Sequence, residues 1–291
     1  MDKVRIITDS NSGITQEEGK KLGIFVIPMP IMINEQEYED EVSLSQDQFY
    51  QMLKDDPTVS TSCPSPGYLT NLWDEQLKEA ESIVYIPMSS GLSSTCDNAK
   101  RLAADYDGKV QVVDNQRISV TQKMSVFEAV SLAKDGKSAI EIRQYLEASK
   151  DKASIYICVD TLKYLKKGGR ISATAAALGT MLRIKPILSS RGGRFEKTAV
   201  AMSMGQAKKR MIQQIKNELA TEFKAEHEQG KMVLYVAHTH NEAEALKFKE
   251  EVEKEFNMTV KFVDPLSLSV SCHIGPGALA LAMCVNNYST I

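Results

Sequence analysis

Cysteine is sparse in this chain and unpaired. Its five residues, Cys63, Cys96, Cys158, Cys272 and Cys284, are odd in number, widely spaced and form no C-x-x-C pair. That excludes a disulfide framework and a thiolate zinc site, and it points to a reducing, cytoplasmic setting. Long apolar runs are absent too: none approaches the roughly 18–20 residues that span a bilayer. Charge of either sign is not in excess, at a net −3. The basic residues are dispersed, as in "KFKEEVEKEF" (247–256), so the stripe that a nucleic-acid surface requires is missing. The N-terminal "MDKVRIITDS" reads as a strand almost from its start, with no signal peptide in view. At 291 residues the chain is long enough for one large domain or two modest ones.

What is present is an alternation of strand and helix patterns. "VRIIT" (4–8) reads as a buried strand, followed by a capping box with Thr15 as N-cap and Glu18 three residues on. "FVIPMPIMI" (25–33) is one extended segment, kept out of helix by Pro28 and Pro30. "SIVYIP" (82–87), "KVQVVD" (109–114) and "SIYICVD" (154–160) are further strands, separated by helical stretches over 67–79, 93–106 and 120–134. This order predicts a three-layer α/β/α domain around a parallel sheet. After about residue 160 the texture changes. "RIKPILSSRGGRFEKTAVA" (183–201) predicts two strands joined at Gly-Gly, then come helix, strand, helix and strand in a second α/β domain with a mixed sheet. The expected division is 1–154 and 155–291. The run "GALALAMC" (277–284) reads as an apolar helix with Gly275, Pro276 and Gly277 at its start.

Two candidate motifs fail on chemistry. "GKS" (136–138) lacks the glycine of a phosphate loop, since Ser131 stands there; Ser138 with Glu141 makes a capping box instead. "HTH" (238–240) ends a strand, but two imidazoles do not make a zinc site, so a loop or cap is the simpler reading. Three loops remain. "SSGLSSTCDNAK" (89–100) follows a strand and opens a helix, and "VSTSCPSPG" (59–67) brings Thr61 and Ser62 before two prolines and another helix. The third is "SCHIGPG" (271–277), which puts His273, one of only four histidines, before glycines at what reads as a helix start. Hydroxyls and backbone N–H groups at a helix N-terminus suit an anion, although each loop alone can be an ordinary cap. Loops of this kind collect at the carboxyl ends of a doubly wound sheet. No Lys or Arg lies within the three candidate loop segments themselves (59–67, 89–95, 271–277), so a triphosphate, which wants cations and magnesium, fits poorly. A single carboxylate fits.

The segments "TDS" (8–10), "TSCPS" (61–65), "SSGLSST" (89–95), "VVDN" (112–115), "LKYLKKGGRIS" (162–172), "KPIL" (185–188) and "HIGPGAL" (273–279) occur in this order in DegV proteins. The chain resembles these bacterial fatty-acid-binding proteins over nearly its whole length. The resemblance implies a two-domain fold with a long-chain fatty acid between the domains. It also implies presentation of that acid to a separate ATP-dependent fatty acid kinase, whose acyl phosphate product serves phospholipid synthesis. By position, Thr61, Ser93 and His273 resemble the carboxylate-binding groups, with Ser62, Ser94 and Gly275 beside them. Arg170 resembles the arginine that works with the kinase and is read as lying outside the head-group pocket. The implied protein is a non-catalytic acyl carrier with no metal or other cofactor, no nucleic-acid partner and no transmembrane segment, though transient membrane contact is compatible with it. Cys63 stands where the family commonly has glutamine, Ser94 and Ala280 where it has glycine, and Asn115 where it has serine, which bears on chain preference. The Ala-rich "SATAAALGTML" (172–182) would line a tail tunnel or pack closely against a neighbour.

Three rival classes stand beside this reading. One is an enzyme using Cys272 and His273, which adjacency in sequence disfavours. Another is a carbonyl-binding subunit related to dihydroxyacetone kinase. The third is a transport protein for a different carboxylate.

Overall fold

A computed structural model describes residues 2–177 and 184–288. The described residues divide into two compact units: the first runs to Asp151 and includes Ser267–Ser269 and Tyr288, and the second comprises Lys152–Leu266 and Val270–Asn287.

In the first unit, β1 (Asp2–Asp9), β2 (Phe25–Ile27), β6 (Ala80–Ile86) and β7 (Val110–Val112) form a parallel sheet in the order β2-β1-β6-β7. A second, antiparallel sheet is made of β3 (Pro30–Ile33), β4 (Gln36–Glu39) and β5 (Val59–Thr61), with β3 in the middle. The single extended segment expected over 25–33 is therefore two strands in two sheets. Pro28 lies between them, and a residue without an N–H cannot continue a ladder. Side chains alternate along a strand. Ile7, Ile83 and Tyr85 pack with Leu69 and Trp73 of the helix Pro66–Gln76 and with Cys96 and Ala99 of the helix Thr95–Ala103. The helices Ser119–Lys134 and Ala139–Ala148 pack against β1, β6 and β7, covering the other face. Both expected capping boxes form: Thr15 Oγ1 accepts from Glu18 N at 3.1 Å, and Ser138 Oγ accepts from Glu141 N at 3.4 Å.

The second unit is built on β8 (Ala153–Cys158), β9 (Lys185–Ser190), β10 (Glu196–Ala201), β11 (Met232–His238), β12 (Val260–Pro265) and β13 (Leu279–Val285). Their order is β10-β9-β8-β13-β11-β12, antiparallel except for the parallel pair β11 and β12. The β9–β10 pair is the antiparallel element foreseen at Gly192–Gly193. The helices Met204–Ala220 and Glu242–Phe256 bury Met211, Ile215, Phe248 and Val252 against this sheet.

One element differs in kind from its sequence reading. The apolar run after Gly277 is β13, a strand between β8 and β11, and not a helix. Every residue of it is buried. A strand covered on both faces loses the alternation that marks a half-exposed strand, and a short continuous apolar run cannot be told from a buried helix by periodicity. Leu281 sits wholly buried at its centre. Leu281→Ala is expected to lower the unfolding free energy by about 2–5 kcal/mol, read from the urea midpoint at an unchanged m-value; a loss below about 1 kcal/mol would contradict this packing.

Candidate functional site

The helix Thr95–Ala103 crosses back between the parallel strands β6 and β7, so its N-terminus lies at the carboxyl edge of the sheet. The helix Pro66–Gln76 runs into β6 within a few residues and packs beside the first, which brings its N-terminus to the same edge. Tyr85 is wholly buried in the core beneath these two helices, and that burial raises its phenol pKa well above the ordinary value. Ser65, and neither Thr61 nor Ser62, caps the helix Pro66–Gln76, accepting from Tyr68 N at 3.2 Å. Thr61 is the last residue of β5. At the other helix Ser94 is exposed and makes no side-chain cap bond. Ser93 Oγ accepts from Thr95 N at 3.2 Å and lies 3.0 Å from Thr95 Oγ1.

The start of the Ser89–Ser94 loop is held by a buried polar centre at the end of β1. Asp9 is wholly buried. Its Oδ2 accepts from Met88 N at 3.0 Å, and its Oδ1 accepts from Gln122 Nε2 at 3.1 Å and from Asn11 N and Nδ2 at 3.1 and 3.0 Å. Met88 directly precedes the Ser89–Ser94 loop, so Asp9 sets where that loop begins. Asn11 Oδ1 in turn accepts from the hydroxyls of Ser267 and Ser269. Asp40 accepts from Ser10 Oγ at 2.8 Å, Leu268 N at 3.2 Å and Ser269 N at 3.4 Å. Burial raises the Asp40 pKa to about 7, with Glu41 adding to the shift and the hydrogen bonds opposing it. Sequence reading singled out "TDS" only as a resemblance; neither Asn11 nor Asp40 carried a signal, since their partners are far away in the chain.

The second unit holds His273, Gly275 and Arg170. His273 stands in the last turn of the helix Leu268–Ile274, and not at the mouth of a following helix as expected, because that helix is β13. The dipole at a helix C-terminus favours imidazolium. Burial and, after it, the Arg170 charge act the other way and lower the His273 pKa to about 4. The imidazole is therefore neutral at pH 7, with one N–H to donate and one nitrogen to accept.

The two motifs most specific to the resemblance pack on each other here. A Cβ at Gly168 would overlap His273 Nδ1, and one at Gly275, whose φ is 77°, would overlap the Tyr164 ring. Arg170 Nη1 donates to Gly168 O at 2.5 Å. Arg170 and His273 thus both lie beside Gly168, with the Arg170 charge felt by the imidazole. Thr239, from the "HTH" segment, bonds to the Gly275–Ala278 turn. His238 is buried, with Nδ1 accepting from Asn241 N at 3.3 Å, and His240 is exposed.

The three loops do not all leave one doubly wound sheet. Thr61 ends a strand of the small antiparallel sheet, Ser89–Ser94 follows β6, and the Gly275 turn leads into β13 of the other unit. Cys272 is buried, and successive helix residues project about 100° apart, so it does not share a face with His273. Residues 178–182 of the Ala-rich stretch lie outside the described residues; Ala173–Ala176 before them form a short helix. Among the described residues no three His, Cys, Asp or Glu side chains gather as a metal ion requires, and no helix is long and apolar enough to cross a membrane.

A parallel-sheet unit followed by a mixed-sheet unit, with a glycine-backed neutral histidine in the second, is a two-domain α/β fold of a defined kind. The family model described as "Uncharacterised protein, DegV family" matches residues 3–286, and the chain belongs to that family. It is 32% identical over 288 residues to a DegV domain-containing protein of Staphylococcus aureus (strain MRSA252), covering 97% of this chain and 99% of the relative. Among solved structures, a DegV family protein from Thermus thermophilus, described for its fatty acid binding, superposes with a TM-score of 0.84 at 27% identity, covering 97% of this chain and 99% of that one. DegV from Bacillus subtilis, described as a fatty acid binding protein, gives 0.84 at 26% identity, covering 98% and 100%.

Two outcomes follow from this geometry. Gly168→Ala must displace His273, so it should perturb the imidazole resonances of His273 while leaving those of exposed His240 in place; unchanged His273 signals would refute the close approach. Asp40 binds its proton more tightly folded than unfolded, so the stability it contributes is complete below about pH 4 and is lost as pH rises to about 7. Asp40→Asn should flatten that part of the stability profile in urea unfolding between pH 4.5 and 8.5. Identical slopes in the two proteins would show that Asp40 does not titrate there.

Proposed function

We propose that the protein binds a long-chain fatty acid, its carboxylate taking hydrogen bonds from Thr61, Ser93 and His273, and presents it to a separate ATP-dependent fatty acid kinase. The observation that carries this reading is the neutral His273 backed onto Gly168 beside Arg170, in a chain whose fold relatives are described as fatty acid binding. A neutral imidazole donates to a carboxylate without first losing a charge to burial. Hydroxyls supply the other donors, so head-group affinity is modest and the tail provides most of the binding. Each buried methylene contributes roughly 0.8 kcal/mol, enough for a chain of about sixteen carbons to bind tightly.

The chain itself carries no phosphate loop, so in this reading the nucleotide and its magnesium belong to the kinase and the protein is an acyl carrier rather than an enzyme, acting in the cytoplasm without a metal or cofactor of its own. Arg170 is the group suited to the phosphorylation step, because a guanidinium can contact phosphoryl oxygens in a bidentate way.

Extraction of the purified protein followed by lipid mass spectrometry should yield an acyl ligand near one per chain. No such ligand, together with no uptake of added acid, refutes the proposal. Thr61→Ala, Ser93→Ala and His273→Ala should each weaken hexadecanoic acid binding by about tenfold or more and hexadecanol binding much less; equal losses for both would dismiss a shared carboxylate site. Arg170→Ala should leave binding within a few fold and sharply reduce acyl phosphate formation with the kinase, with lysine restoring part of it. A joint fall of binding and phosphorylation would instead assign Arg170 to the pocket.

A further inference from the structure

Thr239 follows β11 and is fully buried, yet none of its polar atoms points to water or to its own strand. Its Oγ1 donates to Gly275 O at 2.6 Å and accepts from Ala278 N at 2.9 Å. Its backbone N–H donates to Ala278 O at 3.2 Å, and its carbonyl accepts from Gly277 N at 2.8 Å. All of these bonds go to one turn, Gly275–Ala278. Asn241 Nδ2 adds a longer bond to Gly277 O at 3.4 Å. The turn is tied back to the helix through Gly275 N, which donates to Ser271 O at 2.8 Å. The Tyr164 ring fills the space a Cβ at Gly275 would need, and the His273 ring the space a Cβ at Gly168 would need.

We infer that Thr239 is a positioning residue for His273: it clamps the Gly-Pro-Gly turn against Tyr164, so that the imidazole stays seated on Gly168 and aimed at the ligand carboxylate. The inference rests on the reading in which His273 holds that carboxylate. A turn with two left-handed glycines, at 77° and 82°, has many conformations open to it when unheld. A hydroxyl that donates at one end of the turn and accepts at the other selects one of them, which a methyl group of the same shape does not do.

The test uses the full chain with Thr239→Val, which keeps the shape and removes the hydroxyl, and Thr239→Ser, which keeps the hydroxyl. The His273 imidazole is titrated by NMR, its signal identified by its loss in His273→Gln, with Arg170 as the neighbouring charge in every variant. The valine variant should move the midpoint up from about 4 towards the ordinary histidine value as the loosened ring gains water. It should also weaken hexadecanoic acid binding about tenfold and hexadecanol binding little. Serine should keep both near wild type. Should the valine protein fail to fold, Asn241→Ala is expected to shift the midpoint in the same direction by less. An unmoved midpoint in the folded variant overturns the inference, as does a moved midpoint with unchanged acid affinity. If the wild type binds no fatty acid while valine still moves the midpoint, the functional reading fails and the clamp stands.

Discussion

A carboxylate withdrawn completely from water must be surrounded by donors or give up its charge, and Asp9 meets that requirement at the end of β1. Its two oxygens receive Met88, Gln122 and both nitrogens of Asn11. Burial still raises its pKa against all of these bonds. Each donor carries a piece of chain with it: Met88 brings the loop that holds Ser93, Gln122 anchors the buried helix Ser119–Lys134, and Asn11 receives Ser267 and Ser269. The start of the Ser89–Ser94 loop thus depends on a single desolvated acid, held by Asn11 two residues on and by Met88 and Gln122 from far along the chain.

The second unit solves a different problem, holding an imidazole uncharged at the end of a helix that would favour its charge. Burial does most of this and Arg170 completes it. Placing a cation next to a histidine keeps the histidine neutral, and placing both against Gly168 keeps the pair close to backbone. The glycines of "KKGGR" and "HIGPG" are spatially required here: one gives room to His273 and another to Tyr164. The two segments are about a hundred residues apart in sequence and meet as backbone against ring.

Much of this was legible from local chemistry. The capping boxes at Thr15 and Ser138, the Gly-Gly hairpin and the alternating strands and helices of the first unit all follow from nearest-neighbour rules, and they form. Thr61, Ser93 and His273 were legible as hydroxyls and an imidazole in loops, but not their placing: Thr61 ends a strand and His273 lies in the last turn of a helix rather than at the start of one. Thr239, Asn11 and Asp40 were not, because a lone threonine, asparagine or aspartate in a loop has no periodicity or spacing to betray a distant partner. The misread run at 277–284 failed for a related reason: complete burial erases the polar face from which a strand is recognised.

The order of strands and helices, the helix starts, the absence of any phosphate loop and the family's motifs were properties of the sequence by itself, since each depends on residues within a few positions of one another. Tertiary structure alone decided that β13 is a strand, that "FVIPMPIMI" serves two sheets, that Arg170 and His273 both lie beside Gly168, and that His273 is neutral. Those outcomes depend on which groups lose water and which charges come near them, and desolvation is a property of the folded surroundings that no local window of sequence contains.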